Sequence, residues 1–220
     1  MKDITTKLSI GIISLLLLCT ACKSGDDSII LSSIGTIKTQ KSIYLDQDKI
    51  TVYSPENISD EYEPGNRVFA YFEILDATSE DNIQIRITNL IKIPVSDITP
   101  VIDDENDTLY NASIVSIHRM WLSPDFLTVD FNYFAFDPEL HKFQLAKKDT
   151  ENHTDTIKLD FRHSANNDEK GGQVRNILSF NLSSLKPLPT GKDSIVVSVR
   201  TQIYSTDTTS TTNTRYFYYK

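Results

Sequence analysis

"FLTVDFNYFAF", residues 126–136, decides the fold, because Leu127, Val129, Phe131, Tyr133 and Ala135 alternate there with Thr128, Asp130, Asn132 and Phe134. A side-chain period of two belongs to a β-strand, with one row on a core and the other toward solvent or a neighbouring surface. Working outward, the same habit marks strands at 67–75, 83–93, 112–118, 143–147, 156–163, 174–182, 194–203 and 215–219. In "TIKLDFRH" the inward row is Ile157, Leu159 and Phe161; in "DSIVVSVRTQIY" it is Ile195, Val197, Val199, Thr201 and Ile203. Beyond the first thirty residues no stretch of twelve or more carries the 3.6-residue period of an amphipathic helix. The body of the chain is therefore expected to be all-β. Turn chemistry separates the strands at Pro64-Gly65-Asn66, from Asn166-Asn167-Asp168 to Gly171-Gly172, and at Pro189 to Asp193. Strands joined by such short loops describe sandwiches or barrels. In the terminal "RYFYYK", one of the pairs Phe217/Tyr219 and Tyr216/Tyr218 should be core, and the other an exposed strip.

The first thirty residues are different. Lys2 and Lys7 precede an eleven-residue apolar run, Leu8 to Leu18, followed by Thr20 and Ala21. This is the order of an export signal: a charged start, an apolar core and small residues at a cleavage site. Eleven residues of helix rise ~16 Å, about half of a ~30 Å hydrocarbon layer, too short for a permanent span. The next residue is Cys22, an arrangement that resembles the lipobox of bacterial lipoproteins, with Cys19 in the place usually held by Leu, Val or Ala. The resemblance implies lipidation of Cys22, loss of Cys19 with the signal, and a mature chain without a free thiol. Two or more acyl chains hold a protein stably at a membrane. Lys23 to Asp27 reads as a solvated tether and also resembles the acidic export tag of Bacteroidota-type lipoproteins, which implies the outer membrane and the cell surface.

Removing residues 1–21, with Lys2, Lys7 and Asp3, takes the 22 basic and 30 acidic residues to 20 and 29, a net charge of −9. So acidic a chain has no long-range attraction for phosphate backbones, which excludes nucleic acid as a partner class. The densest charge is "PVIDDENDT", residues 100–108, where Asp103, Asp104, Glu105 and Asp107 repel one another and predict a linker. The expected organisation is a signal at 1–21, a tether at 22–32, a β domain at 33–100, an acidic linker at 101–109 and a second β domain at 110–220.

"SIHRMWLSPDFLTVDFNYF" (116–134), "LDFRHSANND" (159–168) and "ILSFNLSSL" (177–185) resemble the C-terminal region of the NigD-like lipoproteins, in which a Trp precedes an aromatic strand and an Arg-His-polar-Ala-Asn turn follows. Upstream, "EPGNRVFAYFEILD" (63–76) and "IQIRITNLIKI" (83–93) are similar to that family's first domain. The resemblance implies an N-terminal OB-like barrel followed by a C-terminal β-sandwich on a Bacteroidota-type envelope, and brings no defined activity.

Candidate chemistry is sparse. Arg162, His163 and Asp168 form the motif turn and could begin a catalytic set, but there is no Gly-x-Ser-x-Gly elbow and no thiol. The alternative is a strand ending at His163 with Asn and Asp side chains bonding turn amides. No catalytic residue is assigned. His118, His141, His153 and His163 are widely spaced in sequence, and the acidic run lacks the Gly and distal Glu of a calcium loop, so no metal or cofactor is expected. Ser28, Thr108, Thr156, Ser194 and Thr208 each follow an Asp, a pattern that resembles the O-glycosylation acceptors of Bacteroides-type envelope proteins; the alternative is that Asp-Ser/Thr begins strands. A glycan ligand at Tyr71 and Phe72 rests on analogy with OB barrels. The leading expectation is a lipid-anchored, non-catalytic binding or structural module meeting an envelope protein or glycan. The alternatives are a hydrolase built on His163 and Asp168, or an accessory subunit of a fimbrial or nutrient-uptake assembly.

Overall fold

A computed structural model describes residues 29–79, 82–101, 113–148, 156–168, 171–186, 188, 193–204 and 210–220. Strands β1 (Leu31–Thr39), β2 (Ser42–Leu45), β3 (Ile50–Tyr53), β4 (Arg67–Ala77) and β5 (Ile83–Lys92) form a closed barrel in the order β1-β2-β3-β5-β4. Each contributes one row of aliphatic and aromatic side chains to the interior: Ile37, Ile43, Val52, Val68, Phe72 and Ile85 are buried there. Phe72 thus belongs to the barrel core, which removes it from the expected glycan face; Tyr71 packs on Phe69 at 5.1 Å between ring centroids.

The remaining strands are β6 (Val95–Val101), β7 (Ser116–Ser123), β8 (Phe126–Ala135), β9 (Lys142–Lys148), β10 (Thr156–Ser164), β11 (Gly172–Asn181), β12 (Ile195–Tyr204) and β13 (Ser210–Tyr219), in the order β13-β12-β10-β9-β6-β11-β8-β7. β6 changes sheets midway: Val95 to Asp97 pair with β11, whereas Ile98 to Val101 pair with β9, both in parallel. A strand shared in this way makes the corner at which one run of strands becomes a two-layered sandwich. Between the layers lie the inward row of β8, with Leu127, Val129 and Phe131 fully buried, and facing residues such as Leu159, Phe161, Val197 and Val199. The chain entering β7 comes close to β12 at one point, where Val115 makes an isolated parallel bridge to Ile203.

The fold is all-β with an OB-like barrel before a sandwich, as the resemblance implies, but several boundaries differ. All of β6 but Val101 lies within the expected first domain of 33–100 yet hydrogen bonds in the sandwich, so the barrel ends at Lys92 and the crossing is Ile93-Pro94. The expected strand 112–118 begins and ends later, and Trp121 sits inside β7. The acidic residues 103–107 and the turn residues 189–192 lie outside the described residues. In the motif turn, Asn166 and Asn167 take positive φ (47° and 68°), while Gly171 serves close approach: a Cβ there would lie 1.7 Å from the Ala135 carbonyl. At the C-terminus, Tyr219 is buried while Tyr216 and Tyr218 are exposed.

Candidate functional site

The inward row of β10 runs Ile157, Leu159, Phe161 and then His163, so the same alternation that builds the core carries an imidazole into it. Arg162 points to the opposite face and pairs there with Asp160 at 3.3 Å. Two left-handed asparagines then turn the chain, the Asp168 amide donates to the Ala165 carbonyl (2.9 Å), and Asp168 is carried back beneath the strand end. Its Oδ2 accepts the amides of Phe136 (3.0 Å) and Asp137 (2.7 Å). His141 completes the cluster, with Nε2 3.4 Å from Asp168 Oδ2 and Nδ1 2.8 Å from His163 Nε2.

The motif residues His163 and Asp168 are therefore joined through a histidine that the sequence spacing had kept apart from them. Burial, aided by the neighbouring His141, pushes the His163 pKa down to about 4, against an opposing pull from the Ser113 and Ile114 backbone. Amide bonds, first that of Asp137, hold the Asp168 carboxyl below its usual range. The far face of His163 stacks on Phe143, 4.6 Å between centroids and 12° from parallel. The relay thus runs from a turn carboxylate into an aromatic core, and neither His163 nor Asp168 lines any of three cavities seen among the described residues. Its geometry fits a rivet closing one end of the sandwich.

A second cluster lies where barrel meets sandwich. The Arg67 side chain is wholly buried, and all five of its N–H donors are used. Nη1 donates to Thr36 Oγ1 (2.9 Å) and Asp46 Oδ1 (2.8 Å), Nη2 to Asp46 Oδ2 and Thr128 Oγ1 (2.9 Å), and Nε to Ser179 Oγ (3.2 Å). Trp121 Nε1 donates to Asp46 Oδ2 at 2.9 Å. The polar row of β8 thus meets the barrel at Thr128, while Asp130, equally buried, is held by Arg175 of β11.

Beside this seam opens a groove of about 690 Å³, within the range of small-ligand sites. Its walls are Ser32–Ile34 of β1 and His118–Leu122 of β7, with Lys49 from the β2–β3 turn and Arg215 from β13 at its rim. Arg119 lies 5.3 Å over the Trp121 ring and 3.8 Å from Asp130, whose carboxyl is held low foremost by hydrogen bonds from Arg175. Asp46 is already matched by Arg67 and Trp121, so the groove presents an excess of positive charge on an acidic molecule. Sequence reading passed over Lys49, Arg119 and Arg215. The one available signal was Arg215, which interrupts the inward row of β13 that continues through Phe217 to Tyr219.

Of the modification candidates, Thr156 opens β10 and Ser194 immediately precedes β12, as expected if Asp-Ser/Thr begins strands. Cys22, Ser28, Thr108 and Thr208 lie outside the described residues. No helix among the described residues is long and apolar enough to cross a membrane, and no group of three or more His, Cys, Asp or Glu residues there suits a metal ion.

Several solved structures share this architecture. A protein of unknown function from Bacteroides vulgatus is 21% identical with a TM-score of 0.68, covering 87% of this chain and 92% of its own. A NigD-like immunity protein from Bacteroides caccae is 19% identical with a TM-score of 0.65, covering 89% and 99%. A candidate lipoprotein from Bacteroides fragilis is 13% identical with a TM-score of 0.64, covering 87% and 99%. No curated protein matches the sequence. With residues 97–213, more than half of its length, matched by the NigD-like C-terminal beta sandwich domain, the chain belongs to the NigD-like family.

Proposed function

We propose that this protein is a lipid-anchored envelope lipoprotein of the outer membrane, exposed at the cell surface, whose folded part is a non-catalytic binding module with the barrel–sandwich groove as its ligand seat. The groove carries the reading: it gathers an indole, an imidazole and three cationic side chains beside a rigid seam. Preformed clefts at domain junctions, with few convergent polar groups, are the usual place for a ligand. The His163 relay supports a binding rather than a catalytic role, since it ends against Phe143. The anchor rests on the apolar run before Cys22 and on the candidate lipoprotein of similar fold.

Trp121 is the sole tryptophan of the chain, so its fluorescence reports on the groove alone. A soluble form beginning at residue 23 should change its emission on addition of an envelope protein or glycan fraction, and Arg119→Gln should blunt that change. Emission indifferent to every envelope fraction would sink the groove as a ligand seat. For the anchor, Cys22→Ala should abolish palmitate incorporation, and proteinase added to intact cells should digest the wild-type protein; normal labelling of the variant would refute the lipid.

A further inference from the structure

The groove's shape says more than its charge. Five consecutive residues of β7, His118 to Leu122, line it. Successive strand residues face opposite sides of a sheet, so a cavity touching all five must run along the strand's edge rather than over one face. Among the described residues β7 pairs on one side only, with β8, and it is the terminal strand of its sheet. The opposite wall is also an edge: β1 pairs with β4 from Leu31 onward but with β2 only from Gly35, so Ser32 and Ser33 have a strand on one flank alone.

We infer that the groove takes an extended acidic polypeptide segment that adds as a strand along the open edge of β7, its carboxylates facing Lys49, Arg119 and Arg215. The inference rests on the groove being the ligand seat proposed above. An unpaired edge offers a row of amides and carbonyls that another chain can satisfy, and main-chain bonding of this kind supplies affinity while alternate side chains supply selectivity. Five residues of strand span about 17 Å, enough for two or three side chains on each face of the added strand. The charges select the sign. Asp46 and Asp130 are engaged by Arg67 and Arg175, while no ion pair is described for Lys49 or Arg215 among the described residues. A basic strand-edge groove on a net-acidic protein discriminates for acidic and against basic segments.

The probes are acetyl-(Thr-Glu)₄-amide, its Lys counterpart (Thr-Lys)₄, two forms of the first N-methylated at every Thr or at every Glu, and oligogalacturonate as an acidic glycan. Each is titrated into the soluble chain with Trp121 emission and amide hydrogen exchange as readouts. The Glu peptide should bind and slow exchange across residues 118–122, with no binding of the Lys peptide. Arg119→Glu and Arg215→Glu should each weaken the Glu peptide roughly tenfold or more. N-methylation removes donors from one edge of the added strand, so at least one methylated form should lose roughly tenfold or more. Binding that both methylated forms retain, or exchange unchanged at 118–122, overturns strand addition. Oligogalacturonate binding in place of the peptide overturns the polypeptide while leaving the groove as a seat. If no peptide binds but envelope fractions still move Trp121 emission, only this inference falls; if nothing moves it, both readings fall.

Discussion

The clusters around Arg67 and His163 are built from the same materials, a buried carboxylate and a nitrogen base, yet they meet different surroundings. Around His163 the carboxylate bonds amides of one turn, and the second imidazole is backed by Phe143, so the cluster closes on itself. Around Arg67 every donor finds a partner, the partners together come from both barrel and sandwich, and the Trp121 ring carries the network to the wall of an open groove. The two clusters thus differ in whether a described groove adjoins them. The motif histidine attracts attention in the sequence, and the groove lies elsewhere.

The contrast can be tested by how each cluster fails. Arg67→Leu leaves the Asp46 carboxylate buried without its charge partner and should cost about 3–5 kcal/mol, read as a lowered urea midpoint. Adding Asp46→Leu should restore part of that loss, and a double variant no better than the single one would break the account of a matched pair. The His163 cluster should fail through pH. Because its folded pKa is depressed to about 4 from 6.5, the unfolded chain takes up the proton first as pH falls. Stability from this group is complete above pH 6.5 and drains away between 6.5 and 4, about 3 kcal/mol in all. Asp168, also depressed, adds its own loss in a lower window, below the ordinary carboxylate pKa. His163→Phe should flatten the upper step; an unchanged slope from pH 6.5 to 4 would assign it to other groups.

Smaller effects sharpen the seam. Trp121→Phe removes the indole donor to Asp46 while leaving the salt bridge to Arg67, and should lower stability by about 1 kcal/mol. Smallest is Lys49, held at φ 58° in the β2–β3 turn. Lys49→Gly relieves the side-chain clash of that conformation but loosens the unfolded chain, so a net gain of under about 1 kcal/mol is expected from thermal unfolding. A loss there would show that the lysine side chain itself holds the turn.

Strand identity in the sandwich was legible because β8, β10 and β12 each carry one clean apolar row in alternation. His163 could have been read the same way, as the fourth member of the row Ile157, Leu159 and Phe161. β1, β2, β3 and β6 escaped detection for a physical reason. The first three are short or rich in Ser and Thr, and β6 carries Pro100 and pairs in parallel on both sides, which leaves no simple alternation. The groove was illegible because it arises between edges of strands far apart in the chain, and neither period nor spacing records which edges remain open. Arg67 was hidden for the opposite cause, since an arginine opening a strand reads as solvent-exposed until its five acceptors are assembled from three strands and a turn.

Finally, β6 imposes an order in time. It emerges early in synthesis, yet its partners follow much later; Asn181, which bonds Asp97, lies 84 residues downstream. The barrel can close while this segment waits, but the sandwich must stay open until nearly the whole polypeptide is present, so folding is slow and dominated by distant pairings. A chain that ripens late remains threadable longer, which would suit the passage through a narrow export channel that the proposed envelope location requires.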